Sequence, residues 1–441
     1  MMRRILQRLW MFTKLAVLFI IVSLLITRDY PPPGDFTTAV NRLIGRDGFD
    51  FFSWEAGALA AKGEEMVLPA PDYLDASQRK TIVLDYMQLM QRINQLQDDI
   101  DQIYADPKLS DPASASAQQR QELAQLRAQQ AAQQSTVETI LEEQVSTILD
   151  EQGLATGGQV VPPLKLRLTP LPQMLIISPR DEIYQKDAFS LEAGLTTDRA
   201  EQLENEVDQR FDVSSLVTPI GGLGIYPTMM LESTSLDWTL ETASHEWTHN
   251  WLDFHPLGVN YEKSPETRTM NETTASIVGK EVGQMTLRRF YPELAPPPQP
   301  TPTPGPTPTP APTPTPNPNE FDFRAEMRIT RVHVDQLLAE ARAAEKAGDK
   351  ATADARINEA EEYMRQRRQV FVDHGYQIRK LNQAYFAFYG AYADVPGAAG
   401  ADPVGPAVTL LRDRSSSLKA FLEAMAPITS FDELKRVLGE K

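Results

Sequence analysis

The spacing of apolar positions changes along the chain, and each change marks a different kind of element. Residues 15–26 are almost wholly apolar and follow Arg3, Arg4 and Arg8, a pattern that predicts a signal anchor crossing a membrane with the N-terminus inside. Lys14 lies close enough to the basic end to extend its ammonium towards the headgroups. A cleaved signal peptide is the rival reading, yet residues 25–30 hold no small-x-small cleavage pattern. Residues 31–78 alternate proline-rich turns with short helical pieces over 38–43 and 52–61. From there Ile82, Tyr86, Leu89, Ile93, Leu96, Ile100 and Ile103 recur alternately four and three apart, which is an a/d seam. Pro107 and Pro112 stop that helix. A glutamine-rich second helix is predicted over 115–149, with Leu123, Leu126, Val137, Leu141, Val145 and Ile148 on its apolar side. The pair reads as a hairpin packed on itself or on the rest of the chain, or else as a stalk and homodimerisation element.

Between 157 and 233 the texture becomes strand-like. Residues 164–168 alternate, 174–177 are continuously apolar, and a helix over 197–211 precedes a glycine cluster at Gly221, Gly222 and Gly224. A helical stripe of Ala243, Trp247, Trp251 and Phe254 follows, with Ser235 placed to cap it and Pro256 to end it. Ser264-Pro265-Glu266 opens another helix, carrying Met270, Thr274, Ile277, Val282 and Met285 at helical spacing. Residues 296–319 repeat Thr-Pro and have no core to join, so they read as a disordered surface insertion. The remainder is helical, with amphipathic stretches over 328–347 and 353–372 and an aromatic run over 376–390.

These segments predict an α+β chain. It divides into an anchor (1–30), a juxtamembrane segment (31–78), a helical hairpin or coiled coil (79–153), a unit with a small mixed sheet and two polar-faced helices (154–295), the Pro/Thr insertion (296–319) and a helical C-terminal part of that same unit (320–441). Composition narrows the partners. The 441 residues hold 60 Asp+Glu against 43 Lys+Arg, a formal net charge of −17, which argues against nucleic acid. There is no cysteine. Disulfides are thereby excluded, and only histidine and carboxylates remain as metal donors.

The chemistry lies in Ser244-His245-Glu246-Trp247-Thr248-His249, which contains H-E-x-x-H. Positions i and i+4 share a helix face, so His245 and His249 can bind one metal ion together. Glu246, about 100° round the helix, points at the attacking water instead. A catalytic zinc usually takes three protein ligands. His255 stands at the metzincin spacing, but that pattern needs glycine where Leu252 stands, and Pro256 follows directly. The glycine cluster at 221–227 lacks the G-x-G-x-x-G or G-K-[ST] context, so a phosphate cradle is not expected.

With Asn271-Glu272-Thr273-Thr274-Ala275 included, the chain resembles the gluzincins, the thermolysin-like and aminopeptidase-like zinc peptidases, over residues 215–295. The resemblance implies a zincin-like catalytic domain with a helical lower half. It also implies one Zn2+ held by His245, His249 and Glu272, Glu246 as general base, and a peptide or protein substrate. On the face of Glu272 follow Gly279 and Gly283, which cost about 1 kcal/mol each inside a helix and so ask for a close helix neighbour. Ser276 stands where thermolysin-like enzymes often have an aspartate that orients a ligand histidine. By the same resemblance residues 226–231 form the sheet edge that meets substrate, with Gly222, Gly224 and Tyr226 as binding residues. Tyr385, Tyr389, His374 and Arg379 are the candidates for stabilising the oxyanion. The expectation is a membrane-anchored, extracytoplasmic zinc peptidase. Its rival is a non-catalytic envelope scaffold or binding module with a structural zinc site.

Overall fold

The computed structural model describes residues 35–67, 73–105, 111–296, 321–390, 400 and 402–439. The expected anchor over 1–30 and nearly all of the Thr-Pro segment lie outside them. Among the described residues no helix is long and apolar enough to cross a membrane, so the expectation of a single-pass membrane protein with an extracytoplasmic domain is corrected. The longest described helices, of 30 and 35 residues, have the length for a span but carry broad polar faces. The α+β expectation is corrected as well. Of the described residues 67% are helical, because the sheets have only two or three strands while most described residues of the hairpin and of the C-terminal part lie in helices.

Two compact units are present, Met1–Arg46 and Asp47–Lys441. Of the first, the structure describes α1 (Phe36–Ile44), whose first turn is capped by the Asp35 carboxylate accepting from Thr38 N–H at 2.8 Å. In the second, α2 (Phe51–Val67) leads to the hairpin of α3 (Ala76–Ala105), the short α4 (Pro112–Ala115) and α5 (Ala117–Glu151). A tight β-hairpin, β1 (Ala155–Thr156) and β2 (Gln159–Val160), turns through Gly157 and Gly158. Both glycines have positive φ (62° and 80°), as a two-residue turn of this hand requires.

Strands β3 (Leu166–Leu168), β4 (Gln173–Pro179) and β5 (Asp187–Leu191) come next, then α6 (Thr197–Phe211), β6 (Val213–Pro219), β7 (Gly222–Leu223) and β8 (Thr228–Met230). They form two three-stranded sheets. In β5-β4-β6 all pairs are antiparallel, with Leu175 opposite both Phe189 and Val217. In β3-β8-β7 the first pair is parallel and the second antiparallel, with Gly222 opposite Met230. Residues 226–231 are thus not the sheet edge: β8 is central and β3 and β7 are the edges, because the chain doubles back after Leu223.

The two polar-faced helices are α7 (Leu236–Leu252) and α9 (Pro265–Phe290), separated by the short α8 (Pro256–Val259). Ser235 accepts from Trp238 N–H at the start of α7. Ser264 and Thr267 form a reciprocal capping box at the start of α9, with Pro265 at its first position. Then follow α10 (Phe323–Lys346), α11 (Lys350–Asp373), α12 (Gln383–Tyr389), α13 (Val404–Arg414), α14 (Leu418–Met425) and α15 (Phe431–Leu438).

Packing divides this second unit into two sides. One core joins the hairpin seam (Tyr86, Ile93, Ile140, Val145) to α7 and α9 (Leu240, Trp247, Met270, Val282) and to the C-terminal helices (Val408, Phe421, Leu434). The seam's apolar residues therefore pack within the chain. The other side builds a core from α10, α11 and the segment before α12 (Val334, Leu338, Phe371, Leu381), next to a small cluster of Ile176, Leu216, Ala384 and Phe388 between sheet and α12.

Buried glutamates stitch strands to helices on both sides. Glu138 and Glu142 of α5 accept the Leu168 and Leu166 backbone amides at 2.8 and 2.9 Å, and the buried Lys62 ammonium lies 2.8 and 2.9 Å from the two carboxylates. Glu204 of α6 accepts Val217 N–H at 2.6 Å and pairs with Arg379 and with Lys380. Each strand amide so engaged is one that an edge would otherwise leave open.

Candidate metal centre

Helices α7 and α9 meet at backbone distance. A Cβ built on Gly279 would stand 2.9 Å from Glu241 O and 3.0 Å from His245 Cβ, and one on Gly283 would stand 2.8 Å from Glu241 Cα. No side chain fits in that gap. The two glycines are the packing device that lets a carboxylate on α9 reach imidazoles on α7.

What they bring together is His245, His249 and Glu272. The two Nε2 atoms are 3.0 Å apart, and Glu272 Oε2 lies 3.5 Å from each. Donors at the corners of a tetrahedral zinc site are about 3.3 Å apart, so the triangle has the size of a metal's coordination face. Each residue offers one atom, and the three could hold a metal ion. His249 Nδ1–H donates to Asn271 Oδ1 at 2.8 Å, which fixes the tautomer and leaves Nε2 turned to the centre. Glu272 Oε2 is buried and accepts no hydrogen bond, although an orphaned buried acceptor costs about 1–3 kcal/mol. A cation at the centre would supply the missing partner. The donor set fits.

The electrostatics of the metal-free chain point the same way. Burial works to raise the Glu272 carboxyl, but the His249 and His245 imidazoles outweigh it and hold it well below the usual carboxylate range. Burial disfavours the His249 imidazolium, yet the adjacent Glu272 carboxylate lifts its pKa to about 9. Glu246, 7% exposed, has its carboxyl pushed up by burial.

The centre opens into a cavity of about 350 Å³. One wall is the polar set of His245, Glu246, His249 and Glu272; the other is apolar, with Met174, Ile176, Ile220, Leu223, Ile225 and Phe388. Gly222 and Gly224 line it at β7, where a Cβ on Gly222 would come 2.3 Å from Glu246 Oε1 and one on Gly224 3.0 Å from His249 Cβ. Tyr226 does not line it; its ring is 40% exposed beyond the turn. The opposite face of α7 is anchored by Trp247, which is fully buried and donates Nε1–H to Pro162 O at 2.9 Å.

The remaining candidates lie elsewhere. His255 stands at the N-cap position of α8 without a side-chain capping bond; it donates Nδ1–H to Trp251 O at 2.8 Å and stacks on the Trp251 ring. Tyr385 and Tyr389 pack against each other, and the Tyr389 hydroxyl is 2.9 Å from Thr218 Oγ1. Neither lines the cavity, because α12 turns Phe388 towards it and the 385/389 face towards the sheet. Arg379 is spent on Glu204, and His374 donates to Val370 O and stacks on Phe321. The residues that do join the centre without having been expected are Tyr261, Arg268 and Asn271. The Tyr261 hydroxyl donates to Glu272 Oε1, and Arg268 Nε–H donates to Tyr261 Oη at 3.1 Å.

No protein family matches this chain, and comparison with curated proteins and with solved structures likewise finds no match.

Proposed function

We propose that the chain is a zinc-dependent hydrolase of the gluzincin type acting on peptide bonds. The observation that carries this reading is the convergence of three donors from two glycine-packed helices with a fourth, non-ligating carboxylate, Glu246, on one cavity wall. Zinc, when bound, acts as a Lewis acid that polarises the scissile carbonyl and acidifies water at neutral pH. His245 and His249 would hold it through Nε2 and Glu272 through Oε2. Glu246, adjacent to His245 and facing the same cavity, takes the proton from the attacking water and returns it to the leaving amine. The edge strand β7 offers main-chain groups to an extended peptide beside Glu246, and the apolar wall of Phe388, Leu223 and Ile225 takes a side chain while excluding water. A structural zinc site would be closed by a fourth protein donor, whereas the cluster among the described residues has three.

The test is Glu246→Gln against wild type, with metal content and cleavage of a mixed peptide pool measured in parallel. Full zinc occupancy with hydrolysis reduced by about 10²–10⁴-fold is expected. Turnover equal to wild type in the glutamine variant would sink the mechanism, and a wild-type chain that takes up no metal would sink the reading.

A further inference from the structure

Glu272 has two carboxylate oxygens, and they are treated differently. Oε1 accepts the Tyr261 hydroxyl proton, while Oε2 faces the two imidazoles and accepts no hydrogen bond. Tyr261 is itself held by His249 and Arg268. Its ring meets His249 edge to face at 6.2 Å, the Arg268 guanidinium lies 5.8 Å from the ring centre, and Arg268 Nε–H donates to its oxygen. Arg268 sits four residues before Glu272 on α9, hence on the same helical face, and is 8% exposed. Its Nη1 donates to Ala387 O, a carbonyl in the last turn of α12, at 3.1 Å. A single chain of donors therefore runs from the sheet-side helix α12 through Arg268 and Tyr261 to Glu272.

We infer that Arg268 and Tyr261 are positioning residues for the metal centre: they occupy Glu272 Oε1 and so restrict this ligand to one oxygen, keeping a coordination position open. The inference rests on the metal-centre reading above. A carboxylate with both oxygens free can rotate to chelate the ion with both, which fills the position that substrate or water needs. Tyr261 prevents the rotation by engaging one oxygen, and Arg268 prevents Tyr261 from leaving by engaging the phenol. Because Arg268 is also tied to α12, which carries Phe388 on the apolar wall, the ligand's orientation is referenced to both walls of the cavity.

The experiment uses the full chain as wild type, Tyr261→Phe, Arg268→Lys and Arg268→Gln. Each is loaded with Co2+ for visible spectroscopy and, separately, titrated with Zn2+ against a chelator. Tyr261→Phe removes only the hydroxyl, and it should weaken zinc binding by about 10–100-fold, the usual effect of losing a ligand's supporting hydrogen bond. Its Co2+ spectrum should change from intense four-coordinate bands to the weaker absorption of a five-coordinate ion. Arg268→Gln should move both readouts the same way, and Arg268→Lys, which keeps the charge but cannot donate to Tyr261 and Ala387 together, should fall between. Unchanged spectra and affinities in Tyr261→Phe and Arg268→Gln overturn the inference and leave the hydrolase reading standing. An affinity loss accompanied by an equally weakened metal-free fold, with the Co2+ spectrum unaltered, also overturns it. A wild-type chain that binds neither ion overturns this inference and the hydrolase reading together.

Discussion

Glu204 and Glu272 are both buried glutamates on helices, 2% and 3% exposed, and they show how differently the two sides of the molecule treat the same chemical group. On the sheet side every lone-pair direction of Glu204 is engaged, by Val217 N–H, by the Arg379 guanidinium and by the Lys380 ammonium. On the metal side Glu272 has one engaged oxygen and one left bare beside two imidazoles. A saturated buried carboxylate is fastening; an unsaturated one asks for a cation. Glu138 and Glu142, with Lys62 between them, belong to the first kind.

The sharpest way to break that contrast is to remove each carboxylate in turn. Glu272→Ala should abolish stoichiometric metal binding, whereas Glu204→Ala should bind metal in full and lose about 1–3 kcal/mol of stability, because the buried Val217 N–H loses its acceptor while Arg379 and Lys380 keep Val217 O and Asp208. Metal analysis and denaturant unfolding of both variants check this, and metal loss in Glu204→Ala would erase the distinction.

Next in size is Gly222→Ala. The new methyl would overlap Glu246 Oε1 at 2.3 Å, and the flexible end of Glu246 yields before the backbone does. Hydrolysis should drop by about 10²-fold, as a misplacement of roughly 1 Å does elsewhere, with metal content unchanged. A fully active alanine variant would mean that Glu246 is not where the proton is taken.

A smaller effect reads the pairing of His249 with Glu272. Because the metal-free His249 has a pKa of about 9, a metal ion must expel its proton at any lower pH. Affinity should therefore rise about tenfold per pH unit from 7 and level off near 9, since one proton leaves per ion bound. Calorimetry in buffers of different ionisation enthalpy should show that proton at pH 7; no proton release would contradict the pairing. Smallest of all is Tyr389→Phe on the sheet side. It loses one hydrogen bond to Thr218, about 1 kcal/mol of stability, and should leave metal affinity where it was.

The parts of the centre that follow helical arithmetic were legible in the sequence. His245 and His249 at i and i+4, and Gly279 and Gly283 on the face of Glu272, need only the helix period to be placed, and Ser235 and Ser264 mark where those helices begin. The parts that depend on how separate segments meet were not legible. Tyr261 lies in the loop between the two helices and reaches Glu272 only because α8 folds the chain back. Arg268 was readable as a neighbour of Glu272 at i−4, but nothing local says that it also reaches Ala387, 119 residues away. The aromatic run misled for a related reason. In seven residues of helix, Tyr385 and Tyr389 share one face and Phe388 takes another, and only the docking of α12 decides which face meets the cavity. The α+β expectation failed on proportion: short apolar runs mark strands correctly at 166–168 and 173–179, but such runs do not tell how few strands a sheet will have.

The contact at Gly279 and Gly283 has a consequence for motion. Helices whose backbones touch cannot slide or rotate past each other without first separating, so α7 and α9 fluctuate as one slab that carries all three donors. The cavity can then widen or narrow by displacement of the opposite wall, with α12, the β5-β4-β6 sheet and the β7 turn. Amide hydrogens of Leu240, Glu241 and His245 should therefore be among the last to exchange, opening only when the whole unit unfolds.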